Sequence, residues 1–364
     1  MPTTPDPRQD PQLLDAIGRV APGTELRQGI DDIIRSHEGA LIVIGNPEEL
    51  AFLYSGGIRL DQPFTAQLLF ELAKMDGAIV VDDAVSKLAY ANVQLMPDPT
   101  IPSAETGTRH RTAERVAKQT RALVISISQQ RETVTLFFDH ARHQLDPIAT
   151  VLAKANQALA ALETYRKRLE QVLTRLIALE FQNSVTLDDV LAVLQRAEMT
   201  SRMVREVERD CIELGSEGRL IRAQLDELSS HVPEEEAAIV ADYHSSDDPR
   251  DAQGALLRLA GVRHESLLET ELLAEVLGYP RGVNPLDTAV SPRGYRALQN
   301  VPRLPPNVIR RIVQGLDGLD AIVRASLREL ESVEGVGAVR AREIKEGLRR
   351  LQEHNLVERY LQLQ

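Results

Sequence analysis

The feature that most constrains the fold of this 364-residue chain is a change in hydrophobic periodicity near Pro147. Before it, short β-branched runs alternate with helical patterns, which favours an α/β layer fold. After it, apolar residues recur at three-, four- and seven-residue spacings, which is typical of helices that pack side by side. We therefore expect an α/β domain with a mixed sheet flanked by helices over residues 1–146, followed by an all-α region.

The first region contains four runs that predict strands and three that predict helices. The predicted strands are Ala40–Ile44, Ile79–Val81, Leu123–Ile127 and Thr133–Phe138, and the predicted helices lie near residues 29–36, 65–74 and 112–120.

Residues 106–115 combine a turn glycine, hydroxyls, cations and a histidine just ahead of a helical pattern. Backbone N–H groups at a helix start bind phosphate oxygens, and Arg109 and Arg111 can donate to them bidentately. Thr108 and Thr112 add hydroxyls. The stretch alone fits equally a solvated, well-capped helix start.

Asp76 and Gly77 stand at the entrance of the predicted strand Ile79–Val81. Gly77 permits close backbone approach to a ligand, and the Asp76 carboxylate is a hard oxygen ligand for Mg2+ or Mn2+. Taken alone, this pair fits an ordinary turn as well.

Together, Asp76-Gly77-Ala78 and Arg109-His110-Arg111 resemble the two hallmark motifs of the diadenylate cyclase family. The resemblance covers about residues 11–145 and continues into a helical middle and a DNA-binding tail. It implies that two ATP molecules condense to cyclic di-AMP and two pyrophosphates. The implied catalytic residues are Asp76, Arg109, His110 and Arg111, with Asp76 on the metal.

The resemblance also implies further ATP contacts. His110 could act as a general base, but flanking arginines favour its neutral form, so a phosphate contact is expected. The full expected ATP set is Asp76, Gly77, Ala78, Leu95, Thr108, Arg109, His110, Arg111, Thr112, Ser128 and Arg131, of which Gly77 and Leu95 line the adenosine pocket and Ser128 and Arg131 reach phosphate oxygens.

One site holds one ATP, whereas a cyclic product needs two hydroxyls to attack two phosphates. Two catalytic domains must therefore face each other in a two-fold dimer. The helical middle could join dimers into a larger assembly, which the resemblance implies is an octamer.

The formal charge of −12 argues against a protein that coats nucleic acid with its whole surface. Residues 1–148 carry 14 Lys+Arg against 20 Asp+Glu, residues 149–290 carry 15 against 25, and residues 291–364 carry 13 against 9. Any DNA contact is therefore expected in the tail. No apolar stretch predicts a membrane span and residues 1–11 carry no signal-peptide core, so we expect a cytoplasmic protein, associated with the nucleoid when on DNA. Cys211 is the only cysteine, which excludes an intrachain disulfide.

The middle, residues 147–290, is predicted as a helical spine or antiparallel bundle. Thr186–Asp189 is predicted to cap one helix, and residues 234–249 are predicted as an acidic loop. His244, Asp247 and Asp248 in that loop match no standard metal signature.

The tail, residues 291–364, is predicted as a small all-α domain after a proline-rich linker. Helices are expected at Val308–Gln314 and Leu319–Leu330, and residues 333–337 resemble the turn of a helix-hairpin-helix. Its glycines allow close approach to a DNA phosphate, without base readout, so branched DNA is a candidate partner. The expected DNA-binding residues are Gly335, Gly337, Arg340, Arg342 and Lys345. A helical protein-interaction domain remains the alternative.

Two other functions fit parts of the chain. A DNA-structure-binding protein could use the first domain only to sense ATP, without turnover. A repair nuclease would need a cluster of carboxylates for two metals, and the first domain places only Asp76 suitably.

Overall fold

The computed structural model describes residues 10–362, with side chains described as far as residue 353. The chain forms two compact units. The first comprises the residues up to Leu159 together with Glu206–Leu225, and the second comprises Ala160–Arg205 together with Asp226–Gln364. The two longest helices of the middle region each contribute residues to both units.

The first unit is built on a mixed sheet of eight strands. The strands are β1 (Ala40–Ile44), β2 (Tyr54–Ser55), β3 (Ile58–Pro63), β4 (Ala78–Val81), β5 (Lys87–Leu95), β6 (Leu123–Ser128), β7 (Thr133–Phe138) and β8 (Ala141–Gln144). Their order is β2-β5-β4-β1-β6-β7-β8, and β3 also pairs with β5. Only β1 and β4 run parallel among these pairs, so the predicted mixed α/β sheet is confirmed.

Helices cover both faces of this sheet. They are α1 (Pro11–Arg19), α2 (Glu25–Arg35), α3 (Ala66–Ala73) and α4 (Thr108–Thr120). Alternate residues of each buried strand point to opposite faces: Ile42 packs in the core that holds α1, α2 and α3, whereas Val43 packs in the core that holds α4. Apolar cores therefore cover both faces of the sheet, which explains why β1 and β4 are apolar throughout.

The middle region is helical, as predicted. Its helices are α5 (Ile148–Phe181), α6 (Leu187–Leu214), α7 (Arg219–Ser229), α8 (Val232–Tyr243), α9 (Pro249–Gly261) and α10 (Thr270–Val276). The predicted cap of α6 is confirmed, since the Asp189 N–H donates to the Thr186 hydroxyl at 3.3 Å and the Thr186 N–H donates to the Asp189 carboxylate at 3.2 Å.

The acidic loop predicted over residues 234–249 is wrong for most of its length, because α8 extends to Tyr243. Glu234 and Glu235 lie in the first turn of α8, where carboxylates interact favourably with the helix dipole. Ile239 and Val240, later in α8, are fully buried. A run of acidic residues thus marks a helix start here rather than a loop.

The tail is a small all-α domain with its own apolar core. Its helices are α11 (Tyr295–Gln299), α12 (Pro306–Gly315), α13 (Gly318–Arg324), α14 (Leu327–Glu331) and α15 (Ala338–Gln362). The single helix predicted over Leu319–Leu330 is wrong. α13 ends at Arg324, and Ser326 is the N-cap of α14, where it forms a capping box with Glu329.

No helix of the described residues is long and apolar enough to cross a membrane. Cys211 is buried in α6.

Candidate active site and nucleic-acid interface

The strand register brings the sequence-predicted motifs to one edge of the sheet. β1 and β4 both begin there, since Ile42 is opposite Ile79 in a parallel pair. β6 ends there, because Ala40 is opposite Ile127 in an antiparallel pair. β5 ends there as well, with Val93 opposite Ala78. We call this end of the strands the phosphate edge, after the phosphate contacts that the sequence predicts. Asp76 and Gly77 lie on it directly before β4.

Asp76 is exposed, and its carboxylate makes no ion pair or side-chain hydrogen bond within the described residues. Gly77 is fixed beside it, since its N–H donates to the Asn92 side-chain oxygen at 3.1 Å. A Cβ on Gly77 would lie 2.3 Å from the Asn92 carbonyl carbon. The glycine is therefore required for the close approach of the backbone to β5. The sequence, by contrast, predicts a close approach to a ligand.

Helix α4 begins at Thr108, four residues earlier than the helix predicted from residue 112, so the Arg-His-Arg motif forms its first turn. Gly107 is the N-cap residue, and no side chain caps the helix. The first N–H groups of a helix lack intrahelical partners. This end of α4 therefore combines free backbone donors, a favourable dipole and the exposed hydroxyl of Thr108.

Arg109 is half-buried and reaches back over the phosphate edge. Its Nη1 donates to the carbonyl of Ile127 near the end of β6, at 3.4 Å. The same guanidinium lies against Gly39, the residue before β1. Arg109 thereby joins the helix start to β6 and to the start of β1, the strand that pairs with β4.

His110 packs under the helix start. Its Nδ1 is 3.4 Å from the Ser126 hydroxyl, and its ring meets Phe137 edge-on with a centroid distance of 6.2 Å. Burial lowers the pKa of His110, and Arg142 and Arg131 lower it further against an opposing effect of Glu105. The neutral ring expected from the sequence is supported, although burial is the main cause.

Arg111 is exposed and folds back on its own loop, donating to the carbonyls of Glu105 at 3.4 Å and Thr106 at 3.1 Å. Arg131 is exposed in the turn between β6 and β7, and its N–H donates to the Ser128 hydroxyl at 3.4 Å. Ser128 ends β6 on the phosphate edge, and Thr112 is half-buried on α4.

Ala78 and Leu95 are both buried in the core on the α4 side of the sheet. They mark the start of β4 and the end of β5, so both lie at the phosphate edge. Met75 and Met96 follow the same edge and are exposed by 38% and 58%. Apolar side chains therefore lie beside Asp76.

Sequence reasoning missed two residues of this edge, Gly39 and Ser126. Ser126 is a fully buried hydroxyl inside an apolar strand, and only its contact with His110 explains it. A polar residue at an inward position of a buried strand was the available signal.

The tail contains two helical hairpins. The first joins α12 to α13 and the second joins α14 to α15; each turn has a glycine with positive φ, Gly318 at 82° and Gly335 at 90°. In the second turn, Gly337 has no atom within 4 Å of a built Cβ, so its surface is open. The Arg340 guanidinium braces this turn by donating to the Gly335 carbonyl at 2.7 Å.

The remaining cations of the second hairpin differ in their surroundings. Arg342 is exposed and makes no ion pair or hydrogen bond through its side chain within the described residues. Lys345 instead donates to the carbonyl of Val323 at 2.5 Å, toward the body of the domain. Arg311 of α12, which we had not predicted, lies beside Gly335 and pairs with Glu334 at 3.3 Å.

Within the described residues, no group of three or more His, Cys, Asp or Glu side chains is arranged to hold a metal. His244 and Asp247 line a cavity of about 600 Å3 in the second unit. Asp247 pairs there with Arg293 and Asp248 pairs with Arg250, each at 2.6 Å.

Two family models match this chain. Residues 27–142 match the family model "DisA bacterial checkpoint controller nucleotide-binding", and residues 145–286 match "DisA bacterial checkpoint controller linker region". A solved structure of DacA from Staphylococcus aureus is similar at 21% identity, with a TM-score of 0.27, over 36% of this chain and 85% of that one.

Curated relatives match nearly the whole chain. The DNA integrity scanning protein DisA of Carboxydothermus hydrogenoformans is 49% identical over 95% of this chain and 98% of the relative. The protein of the same name from Acetivibrio thermocellus is 44% identical over 96% of each. The chain therefore belongs to the DisA family, and its N-terminal domain is a diadenylate cyclase domain.

Proposed function

We propose that the phosphate edge is the site at which this chain condenses two ATP molecules into cyclic di-AMP. The observation that carries the assignment is the convergence of Asp76, before β4, and Arg109, at the start of α4, on one edge of the sheet. Each 3′-hydroxyl attacks the α-phosphorus of the other ATP and releases its proton to solvent, forming a P–O bond as the bond to pyrophosphate breaks. Such transfers depend on positioning and charge neutralisation.

The triphosphate binds at the start of α4. The uncapped N–H groups donate hydrogen bonds to phosphate oxygens, and Arg109 supplies a guanidinium that is already held by Gly39 and Ile127. Arg111 is exposed at the same turn and exchanges its loop carbonyls for phosphate oxygens. The hydroxyls of Thr108, Thr112 and Ser128 and the cation of Arg131 complete the phosphate contacts.

His110 contacts phosphate and does not act as a base. Its Nδ1 is engaged with Ser126, and its pKa is lowered by burial, so the ring is neutral near pH 7. The Nε2 nitrogen can then carry the proton and donate it to a phosphate oxygen.

Asp76 fits a divalent cation, Mg2+ or Mn2+, because its carboxylate is exposed and no protein cation neutralises it within the described residues. When bound, such an ion would lower the pKa of the attacking hydroxyl and draw charge from the α-phosphate. Gly77, Ala78 and Leu95 place the adenosine next to this carboxylate.

Two copies of the phosphate edge must face each other, since each ATP supplies one nucleophile and one leaving group. The active form is therefore a homo-dimer at least, and the helical middle can join dimers into an octamer. The exposed Met75 and Met96 beside Asp76 fit an edge that is covered in the assembly.

The second hairpin contacts the DNA phosphate backbone. The relatives are named for DNA integrity scanning, and this hairpin presents the open Gly337 together with Arg340 and Arg342, whose side chain has no partner among the described residues. Backbone contacts carry no sequence information, so DNA shape, such as a branch, is the recognised feature.

Incubation of the full-length protein with ATP and Mg2+ or Mn2+, followed by mass detection of cyclic di-AMP, tests the proposal. Cyclic di-AMP formed by the parent and not by Asp76→Asn supports it. The alternative, a DNA-binding protein that only senses ATP, predicts ATP binding with no product from either protein.

A further inference from the structure

Gly39 and Arg109 make an unusually close contact on the phosphate edge. Gly39 is buried immediately before β1, and a Cβ built on it would lie 2.1 Å from Nη1 of Arg109. Real Cβ atoms essentially never approach another heavy atom within 3.0 Å. The planar guanidinium therefore occupies the space that any other residue at position 39 would fill.

Backbone conformation does not explain this glycine. Gly39 is absent from the described residues with positive φ, so an L-residue can adopt its backbone angles. The second neighbour of the built Cβ is the carbonyl oxygen of Ile127 at 3.2 Å, which is the same oxygen that accepts from Arg109. Gly39 is thus required by the arginine and its acceptor.

We propose that Gly39 is a positioning residue for the reaction: it forms a flat seat that holds the Arg109 guanidinium over the phosphate edge. The proposal rests on the proposed function, since it assigns Arg109 to the ATP phosphates. A guanidinium binds phosphate through two parallel N–H groups in a fixed plane, so its direction matters as much as its charge.

The consequence is specific to position 39. Gly39→Ala adds one methyl group, and the far end of Arg109 has to leave the seat to make room for it. The hydrogen bond to Ile127 is then lost, and the guanidinium returns to the rotamer freedom of an exposed arginine. Charge stays at the site, but its orientation does not.

A double-mutant cycle in the full-length protein tests this, with cyclic di-AMP formation measured against ATP concentration for Gly39→Ala, Arg109→Ala and the double variant. One charge-assisted contact corresponds to roughly a tenfold or larger change in affinity. We expect each single variant to raise KM for ATP by at least about tenfold, and the double variant to equal Arg109→Ala. Additive effects of the two changes overturn the proposal.

Gly45→Ala is the matched control. Gly45 is buried at the other end of β1, its φ is also not positive, and its built Cβ meets only the side chains of Leu50 and Ala122. We expect KM for ATP to stay within about twofold of the parent, and an increase equal to that of Gly39→Ala would overturn the proposal.

Thermal unfolding keeps the test decisive if Gly39→Ala folds poorly. The methyl group clashes with Arg109 at 2.1 Å, whereas its nearest neighbour once Arg109 is removed is the Ile127 carbonyl oxygen, at 3.2 Å, so most of the loss of melting temperature should be absent in the Arg109→Ala background. An equal loss in both backgrounds shows that Gly39 only packs the sheet, and it overturns the proposal. A parent-like KM for Arg109→Ala itself removes the phosphate role of Arg109, and the seat with it.

Discussion

Glu180 at the end of α5 and Arg296 in α11 form an ion pair that is closed off from water, with each residue 4% exposed. The Tyr243 hydroxyl also donates to Glu180, at 2.6 Å. The neighbouring Asp242 carboxylate accepts from the N–H groups of Gly294, Tyr295 and Arg296, at 2.7, 2.7 and 3.0 Å. The tail is therefore fixed to the helical middle by buried charge, and the second hairpin lies in the same compact unit as α8 and the C-terminal part of α5.

Arg296→Met should destabilise the protein by about 3 to 5 kcal/mol, because it leaves the Glu180 carboxylate buried without its cation. Urea denaturation followed by circular dichroism measures this. Removing the charge on both sides, with Glu180→Gln and Arg296→Met together, should recover most of the loss.

The control for that change is Arg281→Met. Arg281 pairs with Glu275, but its side chain is 86% exposed, so the loss should stay below about 1 kcal/mol. Equal losses of unfolding free energy at positions 281 and 296 would show that the buried ion pair stabilises the protein no more than the exposed one.

Asp242 should make stability depend on pH. Burial, and then the nearby Glu180, raise the pKa of Asp242 to about 6 from its ordinary 3.8. The folded state thus holds the proton more tightly than the unfolded state, so the contribution of this group is full below about pH 4 and is lost as pH rises through 6. The free energy of unfolding should fall by about 2 to 3 kcal/mol across that window.

Asp242→Asn should remove this slope, because an amide does not titrate. The variant also loses the acceptor of the Arg296 N–H, so its curve should lie lower overall while being flatter. Denaturation midpoints at several pH values between 4 and 7 measure both effects, and a slope that persists unchanged assigns the titration elsewhere, for example to Glu236, whose pKa is raised to about 7.

The strands that periodicity predicted are those buried on both faces. β1 and β7 were predicted with their observed ends, because their β-branched and apolar runs are continuous. β3 and β8 went unpredicted because most of their residues are exposed or half-buried and carry no apolar alternation. β5 also went unpredicted although five of its residues are buried, because Asn92 and Gln94 interrupt its apolar run. Sequence patterns report burial, and edge strands have little of it.

The motifs of the site were predictable from the sequence, but the residue that positions Arg109 was not. Asp76 and Arg109 are distinguished by chemistry that the sequence displays. Gly39 becomes meaningful only when the strand register places it beneath Arg109, 70 positions along the chain.

The domain boundary predicted near residue 147 rests on a change of pattern alone. The segment Glu206–Leu225 lies in the same compact unit as the cyclase domain, and a Cβ on Gly18 would meet Ile212 at 3.6 Å. That association joins residues almost 200 positions apart, so local periodicity carries no sign of it.

Asp76→Asn should abolish cyclic di-AMP formation while the protein stays folded, because a neutral amide is a much poorer ligand for a hard divalent ion. Asp83→Asn is the matched control, since Asp83 is equally exposed and lies just beyond the opposite end of β4. Product measured by mass should vanish in the first variant and remain near the parent rate in the second. Product from both would remove Asp76 from the mechanism.

Gly337→Asp should abolish binding of branched DNA, and with it any effect of that DNA on the cyclase. The built Cβ at Gly337 meets nothing within 4 Å and its φ is not positive, so the new carboxylate is accommodated without strain and stands where a phosphate would lie. Gly335 is the poorer choice for a test, because its φ of 90° makes every side chain strained. Gly261→Asp in the helical middle is the control, since that position is also open and has no positive φ. Electrophoretic mobility shift with a four-way junction measures binding, and cyclic di-AMP formation with and without the junction measures the effect of DNA on the cyclase. We expect the junction to inhibit the parent, because any change in how two phosphate edges face each other misaligns both attacking hydroxyls. If Gly337→Asp binds the junction as the parent does, the second hairpin is not the DNA site, and the tail is better explained as a protein-interaction domain.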